Sequence, residues 1–530
     1  MSTAAATDAD HAAWRPSVNP WLVAVAVMLA TILEVLDTSV ANVALGHIAG
    51  NLSASTDEAT WVLTSYLVSN AIVLPMTGYL SGLFGRKRFL LGCVALFTLA
   101  SAACGAAPTL GLLVLARVIQ GAAGGALQPL SQAILLESFP PAKRGLAMAT
   151  FGMGVVVAPI IGPVLGGWIT DEYSWRWVFY INIPLGVLSL VLCQAFLEDP
   201  PYLRAAHERR GGHVDYIGFG AMALWLGTLQ VILDRGQIDD WLNARWICVA
   251  SVVSLASMIA FIAWELRLAH PLVDLRVLRN RNFALGTMMI TVVGIVLYST
   301  TALLPLFLQG LMGYPALNSG MAISPRGCGA IVALMLVGRL VGKVDTRLLI
   351  TIGFSVLAYS CWMFGGINLE IATINVMWPN IISGLAMGFV FVPLTTATMG
   401  ELPNEQLGNA AGIFNLMRNI GGGMGISLVT TLVARGAQSH QAQMVAHLTP
   451  YDPAFQRFIE TTAHGLSQYG DPVAAGQQAY GVVGGLLGQQ AALFAYVDTF
   501  RVLAVLCLLC IPLVLALHKV RPPKGPIAAH

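Results

Sequence analysis

Stretches of about twenty apolar residues, each long enough to cross the hydrocarbon core of a bilayer as a helix, recur along the whole of this chain. Lipid leaves a backbone few options: each segment must bond internally as a helix or close into a barrel. The lengths here are helical. We place spans at 20–45, 59–81, 89–107, 109–135, 146–169, 176–197, 214–233, 244–266, 283–308, 319–341, 348–366, 371–399, 409–434 and 496–518. Only 10% of the 530 residues are charged, against about 25% in a soluble domain. The expected fold is an all-α polytopic membrane protein of fourteen helices. An even count puts both termini on one side, and loop basicity says which. Arg86-Lys87-Arg88, Lys143-Arg144, Arg204/Arg209/Arg210, Arg267/Arg276/Arg279/Arg281, Lys343/Arg347 and Lys519/Arg521/Lys524 all fall on one face of the alternation. The opposite face holds scattered arginines, such as Arg176, Arg235, Arg245 and Arg457. Both termini are therefore expected in the cytoplasm. Residues 1–19 are polar, without a cleavable signal pattern, so the first span should remain as a helix.

Several function classes drop out. The net charge of +2 gives no basis for a nucleic-acid partner. The eight cysteines lie in or beside apolar segments, and the CxxC of Cys507 and Cys510 sits between leucines in a span, so they read as packing residues. No metal-ligand cluster, paired nucleophile and base, or soluble catalytic domain is visible. Neither an enzyme nor a cofactor or metal site is expected. His47, His440, His447 and His464 are scattered in outer loops and read as solvated.

What remains is charge inside the spans. A carboxylate at membrane depth costs about 2.5–3.5 kcal/mol on insertion scales, so it faces a cavity or a partner. Glu34 and Asp37 lie one turn apart on one face of the first span. Arg117 lies in the fourth span, with Gly121 and Gly125 on its stripe to let a neighbour approach. Arg117 is about 10 Å and Asp37 about 12 Å from the outer ends of their spans. The two can therefore meet at one level.

Glycine and proline mark the moving parts. The second span ends in Gly78-Tyr-Leu-Ser-Gly-Leu-Phe-Gly85-Arg86-Lys87-Arg88, a tight turn and basic cluster suited to latching two bundles. In the fifth span, Gly154, Ala158, Gly162 and Gly166 form a small-residue stripe beside Pro159 and Pro163. Each proline removes a backbone donor and bends the helix. That face suits close contact with another bundle that moves against it. The second half echoes the first weakly: 338–347 resembles 78–88, and Arg418 sits in a glycine-rich helix. Repeated halves are a transporter signature. Pro325-Arg326-Gly327 adds one more intramembrane charge. The segment 436–495, rich in Gln, Gly and Ala, lies outside; it reads either as a docking element with short amphipathic helices or as a loose loop.

These motifs resemble the major facilitator superfamily, in particular its fourteen-helix drug:proton antiporters of the EmrB/QacA type. The pattern LDxTxxNVALP is matched by Leu36, Asp37, Ser39, Asn42, Val43, Ala44 and Leu45, with Gly46 for its proline. RxxQG is matched by Arg117, Gln120 and Gly121, and the antiporter motif GPxxGG by Gly162, Pro163, Gly166 and Gly167. The loop motif GxLaDrxGrk is matched by Gly78, Leu80, Gly85, Arg86 and Lys87, but Gly82 stands at its acidic position. The resemblance implies two six-helix bundles, 20–197 and 283–518, around an extra pair at 214–266, with cytoplasmic segments at 198–213 and 519–530. It implies proton-driven multidrug efflux from a bacterial inner membrane, in a tripartite pump with a periplasmic membrane-fusion adaptor and a TolC-like outer-membrane channel.

In this frame Asp37 is the expected proton carrier, Arg117 the group whose distance from it changes, and Glu34 a deeper site that binds substrate or shares the proton. Substrates are expected to be hydrophobic, cationic or amphiphilic small molecules. The expected cavity wall comprises Glu34, Trp61, Tyr66, Asn70, Gln128, Gln132, Tyr298, Phe307 and Gln309. Conformational roles are expected for Gly78, Gly85, Arg86, Lys87, Gln120, Gly121, Pro159, Gly162, Pro163, Gly166, Gly167 and Arg418. A narrow-specificity exporter of a fatty acid, siderophore or other metabolite, and a proton-coupled importer, are the alternatives.

Overall fold

The computed structural model describes residues 17–140, 143–199, 215–268, 271–341, 343–403, 406–449, 451–468 and 472–518. The basic stretches at 200–214 and 519–530, and most of the N-terminal segment, lie outside the described residues. Among those described, thirteen helices are long and apolar enough to cross a membrane. In chain order the first four long helices are α1 Pro20–Asn51, α2 Trp61–Phe84, α3 Arg86–Ala106 and α4 Leu110–Ser138. Then come α5 Arg144–Glu172, α6 Trp177–Phe196, α7 Tyr216–Arg235, α8 Arg245–Arg267 and α9 Arg281–Leu311. The remainder are α10 Asn318–Leu340, α11 Thr346–Phe364, α12 Thr373–Met399 and α13 Leu407–Val445, then α14 Pro453–Ser467 and α15 Pro472–Leu515. The 29 residues of α5 lie where the fifth crossing is expected.

Helix α1 packs on α4, α5 and α6, and α3 on α4 and α6. In the second half α9 packs on α13, and α12 on α10 and α11. The pair α7–α8 lies to one side, with α7 against both α2 and α13. Its outward residues Leu224, Val249, Val252 and Leu255 are exposed, as a lipid-facing surface requires. Asp234 of α7 accepts from Thr64 of α2. Just beyond, Trp241 Nε1 donates to Thr431 Oγ1 of α13 at 3.1 Å. The extra pair therefore touches both halves.

Seen from α2, the two halves meet most closely near the basic loops. A Cβ on Gly78 would lie 2.6 Å from Asn409 N and 2.7 Å from Asn409 Cα. Gly412 packs on the Leu74 and Pro75 carbonyls, and Gly338 on Ala149. Phe151 stacks on Phe391, centroids 6.5 Å apart.

Two sequence expectations change here. The outer segment 436–495 is mostly helix, so the loose-loop reading falls: α13 continues to Val445, the short amphipathic α14 follows in line with the other reading, and α15 begins at Pro472. A hydropathy reading finds the bilayer and not the helix. Ala, Gln and Leu favour helix in water as well as in lipid. His440, read as solvated, lies 2.9 Å from Asp498 Oδ2 and ties α13 to α15. The second change concerns α5. Its stripe faces α1 within the same half: Gly154 packs on Met28 and Ile32, Gly162 on Ser39 and Gly166 on Val40. The approach to the other half is made instead by Gly145, Ala149 and Gly152, against Val341, Gly338 and Leu334. Small residues on two faces let one helix approach two neighbours, and spacing alone does not say which neighbour is which.

Candidate functional site

The site begins with the charge that α1 cannot leave in lipid. Asp37 is fully buried, and so is Arg117. Arg117 Nη1 donates to Asp37 Oδ2 at 2.6 Å. Gln120 Nε2 and Asn182 Nδ2 donate to Asp37 Oδ1 at 2.8 and 2.7 Å. The carboxylate therefore accepts three bonds, one of them charge-assisted. Arg117 Nη1 also reaches Gln120 Oε1 at 2.8 Å, and Nε reaches the Val62 carbonyl at 3.1 Å. Its guanidinium lies over the Tyr66 ring, 4.2 Å from the centroid, while Nη2 has no partner. Glycine makes this possible: a Cβ at Gly121 would collide with the Tyr66 carbonyl and Ser69 Oγ, so only glycine lets α4 press Arg117 against α2.

Asn182 did not emerge from the sequence motifs. Its signal was an amide inside the apolar run of α6. Ser101 Oγ holds it in place, accepting from Nδ2 at 3.0 Å.

Glu34 turns toward a second group of partners. Asn70 Nδ2 donates to its Oε1 at 3.1 Å, and Oε2 is unpartnered and buried. Arg418 acts on it electrostatically from the other half. Arg418 Nη2 donates to Gln128, and Asn415 Nδ2 donates to Gln132 Oε1 at 2.7 Å. Thus Glu34, Asn70, Gln128, Gln132 and Arg418 converge at the junction of the halves, one turn deeper than Asp37.

Tyr66 is consumed beneath Arg117. The other expected wall residues lie apart. Trp61 is exposed under Arg235, 5.6 Å from its ring centroid. Tyr298 packs against Gly422. Phe307 is fully buried, edge-to-face on Tyr496 at 5.5 Å. Gln309 is exposed on the π-helical turn Leu306–Leu311.

The basic turn works within its own half. Arg86 of α3 pairs with buried Glu137 of α4. Lys87 N donates to Asp199 Oδ1 at 2.8 Å, and Lys87 Nζ donates to the Gln194 carbonyl at 2.7 Å. Gly85 adopts φ +81°, and a Cβ there would lie 3.0 Å from Asp199 Oδ2. Asp199, from the end of α6, thus brings a carboxylate to the N-terminus of α3. Gly78, not the arginines, makes the approach across the seam.

One contact joins the acidic motif of α1 to the proline motif of α5. Proline at 163 has no N–H for the carbonyl of residue 159. Ser39 Oγ donates to that Pro159 carbonyl at 3.3 Å, and Ser39 also fills the notch over Gly162. Gly162→Ala is expected to lower stability by about 1–3 kcal/mol through overpacking against Ser39. Ser39→Gly in the same chain should return a share of that loss. Thermal unfolding in detergent checks both, and equal melting of Gly162→Ala and wild type would refute the contact.

A match to the Major Facilitator Superfamily covers residues 27–426. Fatty acid resistance protein FarB of Neisseria gonorrhoeae is 38% identical over 92% of this chain and 94% of its own length. Multidrug export protein EmrB of Haemophilus influenzae is 39% identical over 85% of this chain and 86% of its own length. EmrB of Escherichia coli K12 is 36% identical over 95% and 96%. This chain belongs to the Major Facilitator Superfamily, among its EmrB-type members. The fold agrees. The human organic anion transporter MFSD10 superposes with a TM-score of 0.59 at 14% identity, covering 94% of this chain and 100% of that one. The proton:xylose symporter XylE gives 0.57, also at 14%, covering 94% and 95%. Members with this architecture are transporters, and no group of three metal-ligating side chains occurs among the described residues.

Proposed function

We propose that this superfamily member exports hydrophobic or amphiphilic toxic compounds in exchange for protons, with the basic face in the cytoplasm of a bacterial cell and the chain in its inner membrane. The observation that carries the coupling is the fully buried Asp37–Arg117 pair, clamped by Gln120 and Asn182. A carboxylate held by an arginine inside a membrane takes a proton when that arginine moves away and releases it when the arginine returns. Asp37 carries the proton, Arg117 sets its occupancy, and Ser39 passes the movement of α1 to the proline break in α5. Glu34, Asn70, Gln128 and Gln132 line the substrate path with Arg418. The close approach of the halves at Gly78 and Gly338 closes the cytoplasmic end in this conformation. The long α13–α15 projection offers a periplasmic adaptor its docking element, and the adaptor leads on to a TolC-like outer-membrane channel.

Whole-length similarity to proteins named for multidrug export supports the direction of transport. The similarity to a fatty acid resistance protein favours one narrower reading, export of fatty acids. The test is accumulation of a fluorescent lipophilic dye in cells expressing this chain with its adaptor. Accumulation should fall, and should recover on adding a protonophore or in Asp37→Asn. Export by Asp37→Asn at the wild-type rate would end the proton-carrier assignment. Uptake that rises with the chain present would end the export reading.

A further inference from the structure

Four arginines are buried among the described residues: Arg86, Arg117, Arg326 and Arg418. Three have a carboxylate to answer their charge. Arg86 pairs with Glu137, Arg117 pairs with Asp37, and Glu34 lies within Coulomb range of Arg418. Arg326 has none. An arginine keeps its charge at any physiological pH. An uncompensated buried charge is strongly unfavourable, above all at membrane depth. Such a residue points to a counter-charge that comes from outside the chain.

The surroundings of Arg326 are built to receive one. Its residue is 8% exposed, so nine-tenths of it is covered. Nη1 donates to Thr301 Oγ1 at 2.9 Å and Nη2 to Thr300 Oγ1 at 2.7 Å. Both hydroxyl protons are already directed at the backbone. Thr300 Oγ1 donates to the Val296 carbonyl at 2.9 Å, and Thr301 Oγ1 to the Leu297 carbonyl at 2.7 Å. Their lone pairs are thus fixed on the guanidinium, which is oriented without being neutralised. Nε remains buried with no partner. The backbone beneath is equally fixed: a Cβ on Gly384 of α12 would collide with the Arg326 carbonyl.

The site is also reachable. Thr301 is exposed, and Tyr298, Ala302 and Pro305 beside it are partly exposed. These follow one another at helical spacing along one face of α9. Arg326 lies about 12 Å from the start of α10, using 1.5 Å per residue. That depth leaves an apolar tail about 12 Å of helix to lie along. A planar carboxylate matches the guanidinium fork through its free edge.

We propose that Arg326, held by Thr300 and Thr301, binds the carboxylate head of an amphiphilic substrate whose tail lies along α9. The proposal rests on the reading of this chain as an exporter of amphiphiles and names the head group that its second half accepts. The site is separate from Asp37, so substrate anion and proton are bound in different halves.

The test uses the purified full-length chain in nanodiscs and three probes: a dansylated undecanoate, its neutral amide, and tetraphenylphosphonium. Arg326→Gln is expected to weaken undecanoate binding at least tenfold while changing the other two less than twofold. Thr301→Val, which keeps shape and loses one of the two hydroxyls that orient the guanidinium, should weaken undecanoate alone by about two- to fivefold, since the bond to Thr300 still holds Arg326 in place. Arg326→Lys should restore some of the loss. Equal loss for all three probes would show a structural role and overturn the proposal. So would unchanged undecanoate binding in Arg326→Gln, or no undecanoate binding by the wild type. Displacement of undecanoate by phosphatidylglycerol at lipid concentrations would assign the site to a lipid head and overturn the substrate reading. Protonophore-sensitive dye export that survives any of these outcomes leaves the exporter reading standing.

Discussion

Asp37→Ala is expected to destabilise the chain by about 3–5 kcal/mol, the range seen when one member of a buried ion pair is removed. Arg117 would then be a fully buried cation beside Gln120, the Val62 carbonyl and the Tyr66 and Phe179 rings. None of them carries charge. Removing both charges, as Asp37→Asn with Arg117→Gln, should recover most of that stability, because neutral amides can bond Gln120 and Asn182. Transport should not recover, since the titratable group is gone. Thermal unfolding in detergent reads the first effect and proton-driven counterflow in proteoliposomes the second. A melting temperature for Asp37→Ala equal to that of wild type would mean that Arg117 finds water, and the buried pair would lose its place in the mechanism. Full transport by the double variant would show that the proton travels elsewhere.

Gly78→Val should abolish transport while leaving the chain in the membrane. Its Cβ would stand 2.6 Å from Asn409 N, and the atoms it meets are backbone on another helix. No rotamer change relieves that overlap, so the halves must separate. Overpacking of this kind costs about 1–3 kcal/mol, and here it acts only in the state where the basic end is closed. A shift of about 3 kcal/mol is a factor of about 150 in a two-state equilibrium, using 1.4 kcal/mol per factor of ten. Transport needs both states, so turnover falls. The companion measurement is alkylation of Ser81→Cys: Ser81 is buried at this seam, next to Gly408. The thiol should be protected in the otherwise wild-type chain and reactive when Gly78→Val is added. Normal turnover with a protected thiol would show that this approach is incidental.

The features of this site legible in the sequence were those that lipid makes expensive. Asp37, Glu34, Arg117 and Arg418 are visible because a charge in an apolar run has few explanations, and equal depths in antiparallel helices bring Asp37 and Arg117 to one level. Gly121 was legible for a related reason, as close approach beside a charge requires a small residue. Asn182 was not, because a single amide in a span is a weaker signal than a charge. Aromatic residues misled most. Tyr66 and Phe307 are as suited to packing as to lining a path, and each is almost wholly buried against a specific neighbour, Arg117 in one case and Tyr496 in the other. The direction of the α5 stripe depended on which neighbour holds Ser39, a fact of three-dimensional arrangement. Ends of helices outside the bilayer were invisible to hydropathy, which registers solvent and not backbone.

The last of these has a mechanical side. Helix α15 has 44 residues, so it is about 66 Å long at 1.5 Å per residue. The hydrocarbon core is about 30 Å thick, which leaves roughly half of α15 outside it. Packed on α13 and α14, that half moves as a stiff arm. If its half of the molecule rocks by about 10°, the tip of an arm of about 30 Å sweeps about 5 Å. A displacement too small to pull neighbouring side chains apart at the level of Arg418 would thus become, at the far end, a stroke the width of a helix turn.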